Sequence, residues 1–224
     1  MYRQLEPDKI VETVEALCKR ITARFPGSGL GQVGRELLSI GHEAKGRAAW
    51  FAKPQPLLRA ATAALIALIV LVPVGGLVRI GLPSHPLEFS QLVQAMAAGL
   101  DVIVLVGAAI LFLVTAEIRI KRARALQAIH ELRAMAHVVD MHQLTKDPEA
   151  ISGREQMTPS DLIRYLDFCS DLLSLIGKIG ALYAQHLTDS VVLDAVNDVE
   201  NLTTGLSRKI WQKITLVQDL AHEP

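Results

Sequence analysis

Residue types that could bind a metal or move a proton crowd into one stretch, HELRAMAHVVDMHQLTKD, which begins at His130. His130, Arg133, His137 and Asp140 fall along one side of a helix. The three-residue separation of His137 and Asp140 is one that metal-binding helical bundles use for paired ligands. His130, His137 and Asp140 are therefore the candidate metal ligands, and the chemistry they would support is that of a metal-dependent membrane enzyme built on His137 and Asp140. One helix supplies too few donors to close such a site, so His42, Glu43 or His186 would have to complete it. The competing reading, which we prefer, is a polar flank beside an apolar seam, with His137 hydrogen-bonded to Asp140.

Other polar groups are weaker candidates. Asp194, Asp198 and Asn201 share a helix face and could chelate Mg²⁺ or Ca²⁺, although a solvated face carries the same pattern. The segment LSRKIWQKI combines Arg208, Lys209 and Lys213 with Trp211. It reads either as a surface resting on the inner leaflet or as a helix end with Trp211 packed in a bundle. The glycines of GSGLGQVG have the look of a phosphate loop, but no strand precedes them and no Gly-Lys-Ser/Thr closes them. Cys18 and Cys169, the only cysteines, lack CxxC spacing and read as small core residues. No Ser/His/Asp or Cys/His nucleophile set and no Walker, HExxH or EF-hand pattern occurs, so no cofactor is implied.

The elements that must carry these residues are set by two apolar stretches. Nineteen residues from Ala60 to Val78 carry no charge, which at about 1.5 Å per residue matches a hydrocarbon core. The fifteen residues from Val102 to Ala116 are also uncharged and reach a spanning length if Leu92–Leu100 leads into them. Arg59 and Glu117 would then lie at one membrane face and Arg79 and Asp101 at the other, as ion pairs or as groups reaching the headgroups. Lys45, Arg47, Lys53 and Arg59 precede the first stretch, and Arg119, Lys121, Arg122 and Arg124 follow the second. The connecting loop, about residues 80–89 with Pro83 and Pro86, adds only Arg79 to its flank. This asymmetry places both termini in the cytoplasm and the protein in the inner membrane. Trp50 and Phe51, just before the first stretch, stand where interfacial aromatics belong, while Pro73, Gly75 and Gly76 should loosen that helix.

The remaining chain reads as helices. Ile10, Val14, Leu17 and Ile21 mark one over residues 7–25, and Val33, Leu37, Ile40 and Ala44 a second over about 30–52. Past Ala116 no breaker occurs before Asp147-Pro148, so the second span should continue as a stalk with Ala125, Ile129, Leu132, Ala136 and Val139 on one seam. Its base-rich turn, Arg119–Arg124, lies within reach of anionic headgroups. After a polar linker, Thr158-Pro159-Ser160-Asp161 is an N-cap signal. It opens a helix with Leu162, Leu166, Cys169, Leu173, Ile176, Gly180, Tyr183 and Leu187 on one seam. A last helix from about Thr188 or Asp189 presents Val192, Val196, Val199, Thr203, Leu206, Ile210 and Val217, closing an antiparallel αα-hairpin. Residues 119–144 hold five bases and two acids and residues 145–224 seven bases and twelve acids, so the acidic part should fold onto the basic stalk.

The chain therefore reads as all-α: a two-pass transmembrane helical hairpin (57–118) between N-terminal cytoplasmic helices (1–56), a stalk helix (119–144) and a linker with a C-terminal helical hairpin (145–224). Its expected partners are the lipid bilayer, anionic headgroups, and a protein partner or a second copy. A formal net charge of zero argues against nucleic acid. The function this plan favours is a non-catalytic, membrane-anchored interaction or scaffold module. An oligomeric two-span pore-forming effector is the first alternative, since the plan is similar to that of some bacterial two-span effectors in architecture, with no motif matched. The metal-dependent enzyme is the second.

Overall fold

The computed structural model describes residues 4–53, 56–80, 89–146, 157–185 and 187–222. Among them the chain forms six helices: α1 (Pro7–Arg24), α2 (Gly29–Ala52), α3 (Pro56–Ile80), α4 (Phe89–Leu144), α5 (Pro159–Ala184) and α6 (Ser190–His222). No strand occurs among the described residues. The chain divides into two compact units. One joins Met1–Lys53 to Arg122–Pro224, and the other is Pro54–Lys121.

In the first unit, local chemistry starts each helix. Pro7 occupies the first turn of α1 with Asp8 beside it, where a missing N–H costs nothing and an acid meets the positive end of the helix dipole. The Ser28 hydroxyl accepts from the Gly31 amide at 3.2 Å to cap α2. Thr158 accepts from the Asp161 amide at 3.1 Å to cap α5. Asp189 accepts from the Val191 and Val192 amides at 3.1 and 3.3 Å to cap α6. Each cap satisfies helix donors that would otherwise lack partners.

Cross-helix contacts give the directions. A Cβ built on Gly34 would meet the Cys18 sulfur at 3.1 Å, and one on Gly41 would meet Val11 at 3.7 Å, so α1 and α2 run antiparallel. Phe25 packs edge-on against Tyr165 and Phe168 with ring centres 5.5 and 6.2 Å away, and Leu5 donates its amide to Gln185 at 2.9 Å. α1 is thus antiparallel to α5. The stalk part of α4 is antiparallel to α5 as well, because Leu132 lies over Gly180 and Lys146 over the Tyr165 ring. It is parallel to α6, to which it is tied by Arg122–Asp189 near one end and Lys213 Nζ to the Gln143 carbonyl near the other.

α5 is the centre of this unit. Its buried residues include Tyr165, Leu166, Phe168, Leu172, Leu173, Leu175, Ile176 and Ile179. They occupy every face of the helix, as befits one surrounded by neighbours. α1, α2, α4 and α6 each give it one apolar stripe, and all five share a single core. Residues Leu162 to Tyr183 and Val192 to Val217, expected on the hairpin seams, are buried, and α5 ends at Ala184, before Leu187. Gly29 and Gly34 of GSGLGQVG serve packing: a Cβ on Gly29 would lie 2.5 Å from the His142 ring. Gly27, at φ +74, takes the left-handed turn between α1 and α2.

The second unit has the opposite character. α3 is helical through Pro73, Gly75 and Gly76 to Ile80, so Pro73 does not break it. Exposed apolar residues stand along both helices, among them Ile66, Leu68 and Leu71 on α3 and Ile103, Leu105, Leu111 and Phe112 on α4. Among the described residues one helical stretch, Gly99–Leu144, is long and apolar enough to cross a membrane, and α3 contributes a shorter apolar run, Ala60–Ile69. The expected connecting loop, residues 81–88, and most of the linker, 147–156, lie outside the described residues.

Candidate functional site

The apolar part of α4 is the first functional feature. None of its most hydrophobic window, mean hydropathy 2.5, is buried. Thr115, the polar residue near its end, turns its hydroxyl back onto the Leu111 carbonyl at 2.6 Å, so it presents no free donor to an apolar solvent. Beyond it Glu117 pairs with Lys121 at 3.0 Å. This pair joins two residues of one helix, one turn apart. The side chains of Arg59 and Arg79 are outside those described.

The second feature is a set of charged groups at the end of the first unit where the chain leaves at Lys53 and returns at Arg122. Arg122 donates from Nε and Nη2 to one carboxylate oxygen of Asp189, at 2.8 and 2.6 Å. Asp189 also caps α6, so one carboxylate joins the start of the stalk to the start of the last helix. The hydrogen bonds from Arg122 hold the Asp189 carboxyl below its usual range. Through this pair the acidic C-terminal part meets the basic stalk.

Beside it, Arg47 of α2 donates to Glu131 of α4 at 2.7 Å and to Glu43 at 2.6 Å. The Tyr183 hydroxyl, buried with no hydrogen bond of good geometry, borders this guanidinium. Burial pushes the Tyr183 phenol up, and the Arg47 charge partly offsets this. Arg124 lies over the Trp50 ring, 4.5 Å from its centre. Phe51 is a correction to the expected interfacial aromatic: it is buried, 5.9 Å from Tyr183 ring to ring. α2 reaches Ala52, and its last turn still faces α5. Trp50, beside Phe51, is half-buried.

The candidate metal ligands are not gathered. His130 and His137 are exposed on the outer side of the stalk. Asp140 accepts from its own helix neighbour Gln143 at 2.7 Å, in place of the expected bond from His137. Of the possible suppliers, His42 is exposed, Glu43 is engaged by Arg47, and His186 lies outside the described residues. Among the described residues no three His, Cys, Asp or Glu side chains come together as a metal set. Asp194, Asp198 and Asn201 are all exposed on α6. Cys18 and Cys169 are buried and free. Burial pushes the Cys169 thiol up to about 12, so it is not a nucleophile at neutral pH.

Trp211 is 59% exposed and is not the core residue that one reading of LSRKIWQKI makes it; Ile210 and Ile214 beside it take the core positions. The pairs Arg122–Asp189 and Gln143–Lys213 put Trp211 toward the opposite end of the first unit from Lys53 and Arg122, about 30 Å along the stalk. Met141 and Leu144 of α4 and Leu216 of α6 are exposed near that same end.

Sequence reasoning missed the Arg47–Glu131–Tyr183 group. Its only local signal was Glu43 four residues before Arg47, an ordinary helix pair. Compared with protein-family models, with curated proteins and with solved structures, the chain matches none significantly.

Proposed function

We propose that this is a two-pass inner-membrane protein whose five-helix bundle lies in the cytoplasm and acts as a non-catalytic interaction or scaffold module. One observation carries the topology: the segments before and after residues 54–121 share a single hydrophobic core. A common core must lie on one side of any membrane, so a chain that leaves it and returns crosses an even number of times. If α4 crosses through its exposed apolar half, α3 has to supply the second crossing. α3, 25 residues from Pro56 to Ile80, is long enough to do so. The basic residues around Lys53 and Arg122, against Arg79 alone on the intervening loop, favour the cytoplasm for the bundle.

The interaction role rests on the far end of the bundle. Trp211, Leu216, Met141 and Leu144 are exposed there, and exposed apolar surface that clusters, unlike singly scattered residues, marks an interaction site.

Labelling tests the topology. Both native cysteines are buried, so Ser84→Cys, in the sequence between the two apolar stretches, and Gln212→Cys each introduce one new thiol. A membrane-impermeant maleimide on intact cells should label the first, and reach the second only after lysis. Labelling of Gln212→Cys in intact cells, or release of the wild type by alkaline carbonate, would sink the reading. Photo-crosslinking from position 211 should give one defined adduct; a ladder of unrelated products would remove the interaction role.

A further inference from the structure

We propose that the cleft of about 330 Å³ between α2 and α4, walled by Arg47, Trp50, Phe51, Arg124, Gln127 and Ala128, binds the phosphate group of an anionic membrane lipid. The inference rests on the membrane reading just given and adds to it a site and a ligand class.

Charge bookkeeping singles out one side chain. Three guanidiniums lie at this end of the first unit. Arg122 is committed to Asp189, and Arg47 to Glu43 and Glu131. Arg124 has no carboxylate partner among the described residues; its guanidinium rests on the Trp50 indole. A ring face holds a cation without neutralising it, so Arg124 alone brings unspent positive charge and a planar fork of donors suited to a phosphate. Exposed Gln127, one turn back from Glu131 on the stalk, adds an amide donor to the same wall.

The other walls fit a lipid. Phe51 and Ala128 are buried apolar residues at the floor, able to meet the glycerol carbons while the phosphate faces Arg124. The cleft lies in the last two turns of α2 and the first two turns that α4 contributes to this unit, beside both points where the chain passes to residues 54–121. If those residues cross the bilayer, the cleft opens at headgroup depth, where indoles and guanidiniums are favoured. Its volume is near the lower limit for small-molecule sites and suits a phosphodiester with a small substituent.

The chain has two tryptophans, Trp50 and Trp211, so Trp211→Phe leaves Trp50 as the sole reporter in the full-length protein. In nanodiscs, replacing phosphatidylcholine stepwise by phosphatidylglycerol should change Trp50 emission saturably, as Arg124 is drawn from the ring. Arg124→Gln should abolish the change, Arg124→Lys weaken it, and Arg208→Gln at the far end leave it intact. In a second arm, inorganic phosphate or glycerol 3-phosphate is added to phosphatidylcholine discs. An Arg124-dependent change in that arm supports a phosphate site but assigns its ligand to solution. Absence of an Arg124-dependent change in both arms overturns the site. Failure of the membrane reading is separate: the protein then leaves the membrane fraction in alkaline carbonate, whatever its emission does.

Discussion

The two halves of α4 are one helix with opposite patterns of burial. From Val102 to Ala116 the residues are almost all apolar, and Ile103, Leu105 and Phe112 are 69, 70 and 69% exposed. From Ala125 onward the apolar residues retreat to one stripe, and Leu132, Ala136 and Val139 are fully buried against α5 and its neighbours. Backbone geometry is common to both; the difference is what satisfies the side chains. A water-soluble protein avoids a continuous exposed apolar surface of this kind, whereas lipid accepts it at no cost. Burial and exposure of like residues on one element can both be stable if the surroundings change along it.

Two substitutions break the comparison most directly. Leu132→Ala removes a side chain with no exposed surface and should lower bundle stability by about 3 kcal/mol, within the range for cavity-forming core truncations. Leu105→Ala should leave it unchanged, as checked by denaturation of the detergent-solubilised protein. The reverse holds for charge. Leu105→Arg places a guanidinium in the middle of the apolar half and should raise the cost of insertion by about 2.5–3.5 kcal/mol, read as a fall in the membrane-inserted fraction. If Leu105→Arg inserts as well as wild type, the exposed apolar surface faces something other than lipid.

Much of this division was legible in residue order. Uncharged runs marked the second unit, and the three- and four-residue spacing of apolar positions marked the bundle seams, because burial on a helix has a period. Thr158-Pro159-Ser160-Asp161 opened α5 where expected, since a cap is a local hydrogen bond that needs no distant partner. The surroundings of Phe51 and Trp211 were not legible. An aromatic beside an apolar run is equally compatible with a membrane boundary and a core; for Phe51 the contact with Tyr183, 132 residues later in the sequence, decides. The Arg47–Glu131 pair joins helices separated by the whole apolar segment, so its components looked like ordinary surface charges. His130, His137 and Asp140 were visible as residues, but the exposure of the two histidines on the stalk depends on which stripe α5 covers.

A smaller effect is expected at Asp189, which ties the stalk to the last helix. Asp189→Ala removes a cap and an ion pair and should cost about 1–2 kcal/mol, most of it the cap. Asp189→Asn keeps a capping oxygen but not the charge and should cost less. Because the folded carboxyl titrates below its ordinary value of 3.8, its contribution is complete above that value and is lost as pH falls through the lower folded value. Acid unfolding of wild type below about pH 4 should therefore have a component that Asp189→Asn lacks. An identical acid limb in both proteins would mean that Arg122 does not hold the carboxylate in solution.

The smallest effect separates the exposed side of the stalk from its buried side. His137 points away from the core, and truncating a solvated surface side chain usually moves stability by no more than about 0.5 kcal/mol. His137→Ala should thus unfold with wild type, in contrast to its neighbour Ala136, whose side chain is fully buried and where Ala136→Leu should be disruptive through overpacking. A large loss from His137→Ala would show that this face is covered in the membrane-bound protein, by a second copy or by a metal bridging two chains. Metal content then distinguishes the two: stoichiometric metal in wild type that His137→Ala removes would revive the ligand set His130, His137 and Asp140 as one shared across a dimer. Metal-free protein with the same loss would leave direct helix packing as the cause.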